Sequence, residues 1–170
     1  FRYWDPNDSA SDPGSGTTIN DLSGNSKALT LQNGVGRDDD EAKWWTMDGS
    51  NDRLRAANFG WDEDQAWTIT IWVQWDQFDR GMLAGVGHTT NSYGIDILVG
   101  KTNASGQVRG GVRGGTGSLR SVTNTQNLFS GDWHHVAVTH SPNAGGFLKV
   151  YIDGALDGTT NFTVNVPSLS

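Results

Sequence analysis

Hydrophobic and polar positions alternate with a period of two in two stretches of the chain. In the first, GDWHHVAVTHSPNAGGFLKVYIDGALDG from Gly131 to Gly158, Val136 and Val138 alternate with Ala137 and Thr139. Leu148, Val150 and Ile152 then alternate with Lys149, Tyr151 and Asp153. This is the period of half-buried strands, and the intervening SPNAGG supplies the Pro, Asn and Gly that a reversal needs, so a hairpin is predicted. Asp153-Gly154 predicts a second turn. The other stretch is WTITIWVQW, which puts Trp67, Ile69, Ile71, Val73 and Trp75 on one face and Thr68, Thr70, Trp72 and Gln74 on the other. The first face is predicted core. The second is a polar surface with one large aromatic, the kind of sheet face that binds ligands in a sandwich.

The remaining elements are shorter. Strands are predicted at Phe1–Trp4, closed by Asp5-Pro6, and at Ala28–Leu31, Lys43–Met47, Arg53–Ala56, Met82–Gly87, Tyr93–Val99, Gln107–Val112 and Ser118–Val122. The acidic run Asp38, Asp39, Asp40 and Glu41 reads as a solvated loop. No stretch sustains a helical period, and there is no internal repeat or linker. The expectation is an all-β, two-sheet antiparallel β-sandwich, with a single domain over 1–170.

Composition narrows the classes of function. Among 170 residues, 23 Gly suit tight turns, and the absence of Cys leaves the fold to core packing without disulfides. A formal net charge of −7 disfavours nucleic acid or an anionic membrane as partner, because both are held through Lys and Arg. No apolar run approaches the roughly 20 residues of a membrane span, so membrane insertion is not expected. The start at Phe1, with neither a basic region nor an apolar leader, reads as a mature or excised fragment.

Four ordered motifs carry a family resemblance: Asp21-Leu22-Ser23-Gly24-Asn25, Asp48-Gly49-Ser50-Asn51-Asp52, the strand Trp67 to Trp75, and Trp133-His134-His135-Val136-Ala137-Val138 followed by Tyr151-Ile152-Asp153-Gly154. Together they resemble laminin G-like domains of the concanavalin A-like lectin/glucanase superfamily over about residues 15–160. The resemblance implies a jelly-roll sandwich used mostly for binding. The opening FRYWDPNDSASDPGSGTTINDLSGN also resembles the start of such modules in bacteriophage tail, fibre and head-decoration proteins. It implies an extracellular or virion-surface location.

The candidate chemistry follows from these elements. Glycoside hydrolases of this superfamily project two carboxylates from one strand face, and a retaining pair stands ~5 Å apart. Here the acids cluster at 38–41 and 62–64, in loops, so no enzyme is expected. His134 and His135 are adjacent on a strand and point to opposite faces, so they do not share a ligand. A triad of Ser121, His135 and Asp153 lacks a nucleophile-turn motif. Calcium needs six to eight oxygens, which Asp21 and Asn25 of one turn and Asp48 of another offer; the other reading is that these residues cap turns. The resemblance would place the family's rim calcium ligand near Asn91 or Ser92, where no Asp stands. Carbohydrate recognition calls for aromatics beside amides and hydroxyls, and Trp44, Trp45, Trp61 and Tyr93 are the candidates. Two functions remain open: a non-catalytic module binding a glycan or cell-surface polysaccharide, as an adhesin or decoration protein, and a structural subunit forming a homo-oligomer or filament by strand addition. Strand addition is suggested by the tail, because only NFTVNV, Asn161 to Val166, stands where the family closes its sheet.

Overall fold

Every regular element among the described residues is a strand, as the period-two patterning requires. The computed structural model describes residues 1–56, 65–75, 81–86, 96–101, 106–113, 120–142 and 145–162. By its internal contacts the chain forms two compact units, Phe1–Gly60 and Trp61–Ser170.

The first unit contains β1 (Thr18–Ile19), β2 (Leu29–Gln32), β3 (Gly36–Asp38), β4 (Trp44–Thr46) and β5 (Arg53–Arg55). A three-stranded antiparallel sheet runs in the order β1-β2-β5, and β3 pairs with β4. Ile19 and Leu31 supply its buried apolar side chains. Two sequence expectations change here. Asp38 belongs to β3, opposite Trp44, while Asp39, Asp40 and Glu41 stay exposed outside the strands. Phe1–Trp4 forms no strand, because the segment is held by mixed bonds: Leu22 N–H donates to the Tyr3 carbonyl at 2.8 Å and the Trp4 indole to the Lys27 carbonyl at 2.9 Å.

The second unit contains β6 (Trp67–Val73), β7 (Gly81–Val86), β8 (Asp96–Lys101), β9 (Val108–Arg113), β10 (Arg120–Thr123), β11 (His134–Ser141), β12 (Phe147–Ile152) and β13 (Ala155–Asn161). They make two four-stranded antiparallel sheets, ordered β13-β12-β11-β6 and β10-β9-β8-β7. In the first, Val136 is opposite both Ile71 and Ile152, and Val138 is opposite both Ile69 and Val150. The predicted inward phase is the buried one. Val136, Val138, Leu148, Val150 and Ile152 are buried beside Val108, Val112 and Val122 of the other sheet, with Ile69 and Ile71 packed against them.

Glycine sets how closely the sheets approach. A Cβ on Gly110 would stand 2.5 Å from a Val138 methyl, so β9 lies directly over β11 with only hydrogen between them. β13 was not legible in ALDGTTN, which lacks alternating apolar residues. It forms because Asp153 (φ 50°) and Gly154 (φ 83°) make a two-residue turn with both residues at positive φ, which folds the chain back along β12. Of the predicted Tyr93–Val99, β8 covers the part from Asp96, and residues 93–95, Tyr93 among them, lie outside the described residues. The architecture is the expected two-sheet antiparallel β-sandwich.

Candidate functional site

The outward phase of the β13-β12-β11-β6 sheet gathers side chains that a core does not need. Directly opposed residues share a face. One row pairs Trp72 with His135; the next runs Thr70, Ala137, Tyr151, Leu156; a third runs Thr68, Thr139, Lys149, Thr159; and Ser141, Phe147 and Asn161 form a fourth. Trp72 is 63% exposed, the largest apolar surface on this face, and its ring meets that of His135 at 5.2 Å and 51°. Ala137, the smallest side chain, sits between Thr70 and Tyr151 and is flanked along β11 by His135 and Thr139. The centre of the face is therefore a shallow dip with aromatic rings at its margin and hydroxyls around it. The Lys149 ammonium rests 4.4 Å over the Phe147 ring. With strands ~4.8 Å apart and rows ~6.7 Å apart, Trp72 and Tyr151 stand on the order of 12 Å from each other.

At the end of this face, Ser130, His134 and Asp153 line up. His134 Nδ1 lies 2.8 Å from Asp153 Oδ2, and Ser130 Oγ lies 3.3 Å from His134 Nε2. His135, which the sequence reading set aside as a triad member with Ser121 and Asp153, turns to the sheet face with Trp72. The contacts mark a latch. Ser130 Oγ also accepts the Asp132 N–H at 3.2 Å. Asp153 Oδ1 accepts the His135 N–H at 2.8 Å, tying the β12–β13 turn to β11. The hydrogen bond to His134, then that from His135, holds the Asp153 carboxyl below the usual carboxylate range.

The predicted aromatics separate. Trp61 and Tyr93 lie outside the described residues. Trp45 is half-buried, and its indole N–H donates to Asp12 at 2.7 Å. Asp12 also accepts Arg37 Nε at 2.9 Å on both oxygens and the Gly14 N–H at 3.0 Å. Burial raises the Asp12 carboxyl, and the Arg37, Trp45 and Gly14 hydrogen bonds outweigh it and leave the group lowered. Trp45 is thus a strut of a buried ion pair. Trp44, also half-buried, borders a small cleft with Pro6, Arg37, Asp38 and Lys43.

The proposed calcium ligands are engaged in their own turns. Asp21 Oδ1 accepts the N–H groups of Ser23 at 2.8 Å and Tyr3 at 3.2 Å, and Oδ2 accepts that of Lys27 at 3.3 Å. Burial raises the Asp21 carboxyl, yet the Ser23 hydroxyl and the amides of Ser23, Tyr3 and Lys27 bring it down to about 2. Asn25 Nδ2 donates to the Phe1 carbonyl at 3.0 Å, and Asp48 Oδ1 accepts the Ser50 N–H at 2.8 Å. No three Asp, Glu or His cluster in metal-binding fashion among the described residues. These side chains cap their own turns.

A family profile described as the concanavalin A-like lectin/glucanases superfamily matches residues 48–170. The chain belongs to this superfamily. Its fold also resembles the crystal structure of the binding domain of Paraclostridial Mosquitocidal Protein 1, with a TM-score of 0.64 at 16% identity. The match covers 87% of this chain and 39% of that one, so the chain spans well under half of the similar structure. No curated protein matches the chain in sequence. For a concanavalin A-like sandwich, the outer face around Trp72 is the site whose residues are least explained by stability. The sequence had marked it as a face with one aromatic but did not name Trp72, His135 or Tyr151 as ligand residues. The signal was present in the outward phase of Trp72 within WTITIWVQW.

Proposed function

We propose that this chain is a non-catalytic carbohydrate-binding module that takes its ligand on the outer face of the β13-β12-β11-β6 sheet. The observation that carries this reading is the exposed Trp72 ring, tilted against His135 at the edge of a hydroxyl-lined dip. Sugars present flat C–H faces that pack on such rings, while hydroxyls and imidazoles hydrogen-bond their equatorial oxygens. The separation of Trp72 from Tyr151 suits an oligosaccharide better than a single sugar. The described outward positions of this sheet carry no carboxylate, which favours binding over the paired-carboxylate hydrolysis of related enzymes. A place outside the cell, as an adhesin or virion decoration, agrees with this reading and with the family. A glycan array, followed by tryptophan-fluorescence titration of the hits, tests it. Saturable binding of at least one oligosaccharide is expected, and an array with no specific hit would overturn it.

One observation favours the second reading, a subunit of a homo-oligomer. Phe1 is 91% exposed and stacks at 6.3 Å on Tyr3, itself 45% exposed, making an apolar patch in the first unit. Such a patch suits a face between copies. The segment does not suit strand donation, since its backbone is bonded to Asp21, Leu22 and Asn25 of its own chain. Native mass spectrometry at micromolar concentration decides between monomer and assembly.

A further inference from the structure

His140 is the buried titratable group that the binding face does not use. It lies on β11, 2% exposed, between the Trp67 ring at 5.1 Å and the Phe162 ring at 6.1 Å. Arg120 stands over the same Phe162, its guanidinium carbon 4.9 Å from the ring centroid. The row thus draws on β6, β11, β10 and the residue that follows β13, and so crosses from one sheet to the other. Both imidazole nitrogens are buried, and the hydrogen bond that bears on the ring is to the Gln65 backbone. The inward neighbours on β6 and β12 are Trp67, Ile69, Leu148 and Val150, none of them titratable. Among the described residues, the charged group bearing on His140 is Arg120, and the Gln65 backbone is the polar group. A neutral imidazole fits this row as an apolar ring. An imidazolium there would be a desolvated cation beside the Arg120 cation.

We propose that the Trp67–His140–Phe162 stack is an acid-released latch: protonation of His140 detaches Phe162 and frays the adjoining ends of β12 and β13. Phe162 is placed for this. Its N–H donates to the Gly146 carbonyl at 2.7 Å, and Asn161 before it is opposite Phe147, so the aromatic contact secures the last pair of the hairpin. Protonation occurs in the open form, where the imidazole regains its ordinary affinity for a proton. Opening therefore becomes more favourable by about tenfold for each pH unit below roughly 6.5. The far end of the sheet, where Trp72 and His135 lie, is five residues away along β11 and stays paired.

Amide hydrogen exchange on the intact chain tests the latch. Protection factors are measured at Thr160 and Phe162 and, as a reference, at Val136 and Val150, between pH 7.5 and 5. In wild type the first pair is expected to lose about tenfold per unit below roughly pH 6.5 while the second pair is unchanged. His140→Phe keeps the aromatic row without a titrating group and is expected to abolish the loss. Arg120→Met removes the neighbouring cation and is expected to make the loss shallower, because the closed form then tolerates the proton better. If His140→Phe does not fold, the wild-type and Arg120→Met profiles still decide. Equal pH response at all four amides, or an unchanged profile in either variant, would overturn the proposal.

Discussion

Trp72 and His135 are opposed residues on neighbouring strands, and their rings meet at 5.2 Å and 51° on the outer face of the sandwich. The imidazole stands against one side of the indole, and Trp72 remains 63% exposed. Removing that support should weaken binding without unfolding anything. His135→Ala is expected to lower glycan affinity by about 0.5–1.5 kcal/mol, roughly two- to tenfold, with a melting temperature close to wild type. Calorimetric titration beside a thermal melt checks both halves.

In the core, the close approach of the sheets sets two opposite sensitivities. Val138→Ala opens a cavity beneath β9 and is expected to destabilise by ~1–3 kcal/mol. Gly110→Ala forces a methyl onto Val138, and overpacking of this kind also costs ~1–3 kcal/mol. Because the two sites touch, the double variant should cost clearly less than the two singles added together. Urea unfolding of all three proteins gives the comparison, and simple additivity would show that the two do not share the space.

The sheet that carries the candidate site was legible in the sequence because its alternation is strict. Trp67 to Trp75, Val136 to Val138 and Leu148 to Ile152 bury the residues that the period-two pattern assigned inward, except that Ile69 and Ile71 are only half-buried. β3 and β13 were not legible, for physical reasons. β3 includes Asp38 of an acidic run, and the strand stands because Arg37 beside it is fixed by Asp12, 25 residues distant in sequence. β13 has no apolar alternation and is dictated by the Asp153-Gly154 turn. The site residues divide in the same way. The outward phase of Trp72 follows from periodicity alone, whereas the use of the Trp45 indole by Asp12 depends on a long-range contact that no local pattern encodes.

Asp21 ties the first segment to the stretch before β2 through the amides of Tyr3 and Lys27, and its carboxyl is lowered to about 2 in the folded chain against an ordinary value of 3.8. A carboxyl lowered on folding contributes stability that is full above its unfolded value and is lost as pH falls through the folded one. The window is therefore about pH 4 down to 2, and the contribution is on the order of 1–2 kcal/mol. Asp21→Asn should lose that amount at neutral pH and show a flatter acid limb. Chelator should leave the melting temperature of wild type unchanged, and a fall on chelation would instead show a bound cation.

The Ser130–His134–Asp153 row is expected to act as a latch alone. Asp153→Asn should lower the melting temperature at pH 7 and reduce its dependence on acid below the ordinary carboxylate range, since the lowered Asp153 contributes only while ionised. Ser130→Ala should have a smaller effect. Labelling of Ser130 by a fluorophosphonate probe, read by peptide mass spectrometry, is expected to be nil, and specific labelling would make the row a nucleophile site.

The claim that the face around Trp72 holds carbohydrate is tested most directly by one paired titration. Wild type, Trp72→Ala and Trp45→Phe are titrated with the strongest oligosaccharide from the array, after matched melts establish that all three are folded. The account predicts that Trp72→Ala loses at least tenfold in affinity while Trp45→Phe binds as wild type does. Undiminished binding by Trp72→Ala, or loss confined to Trp45→Phe, would contradict it.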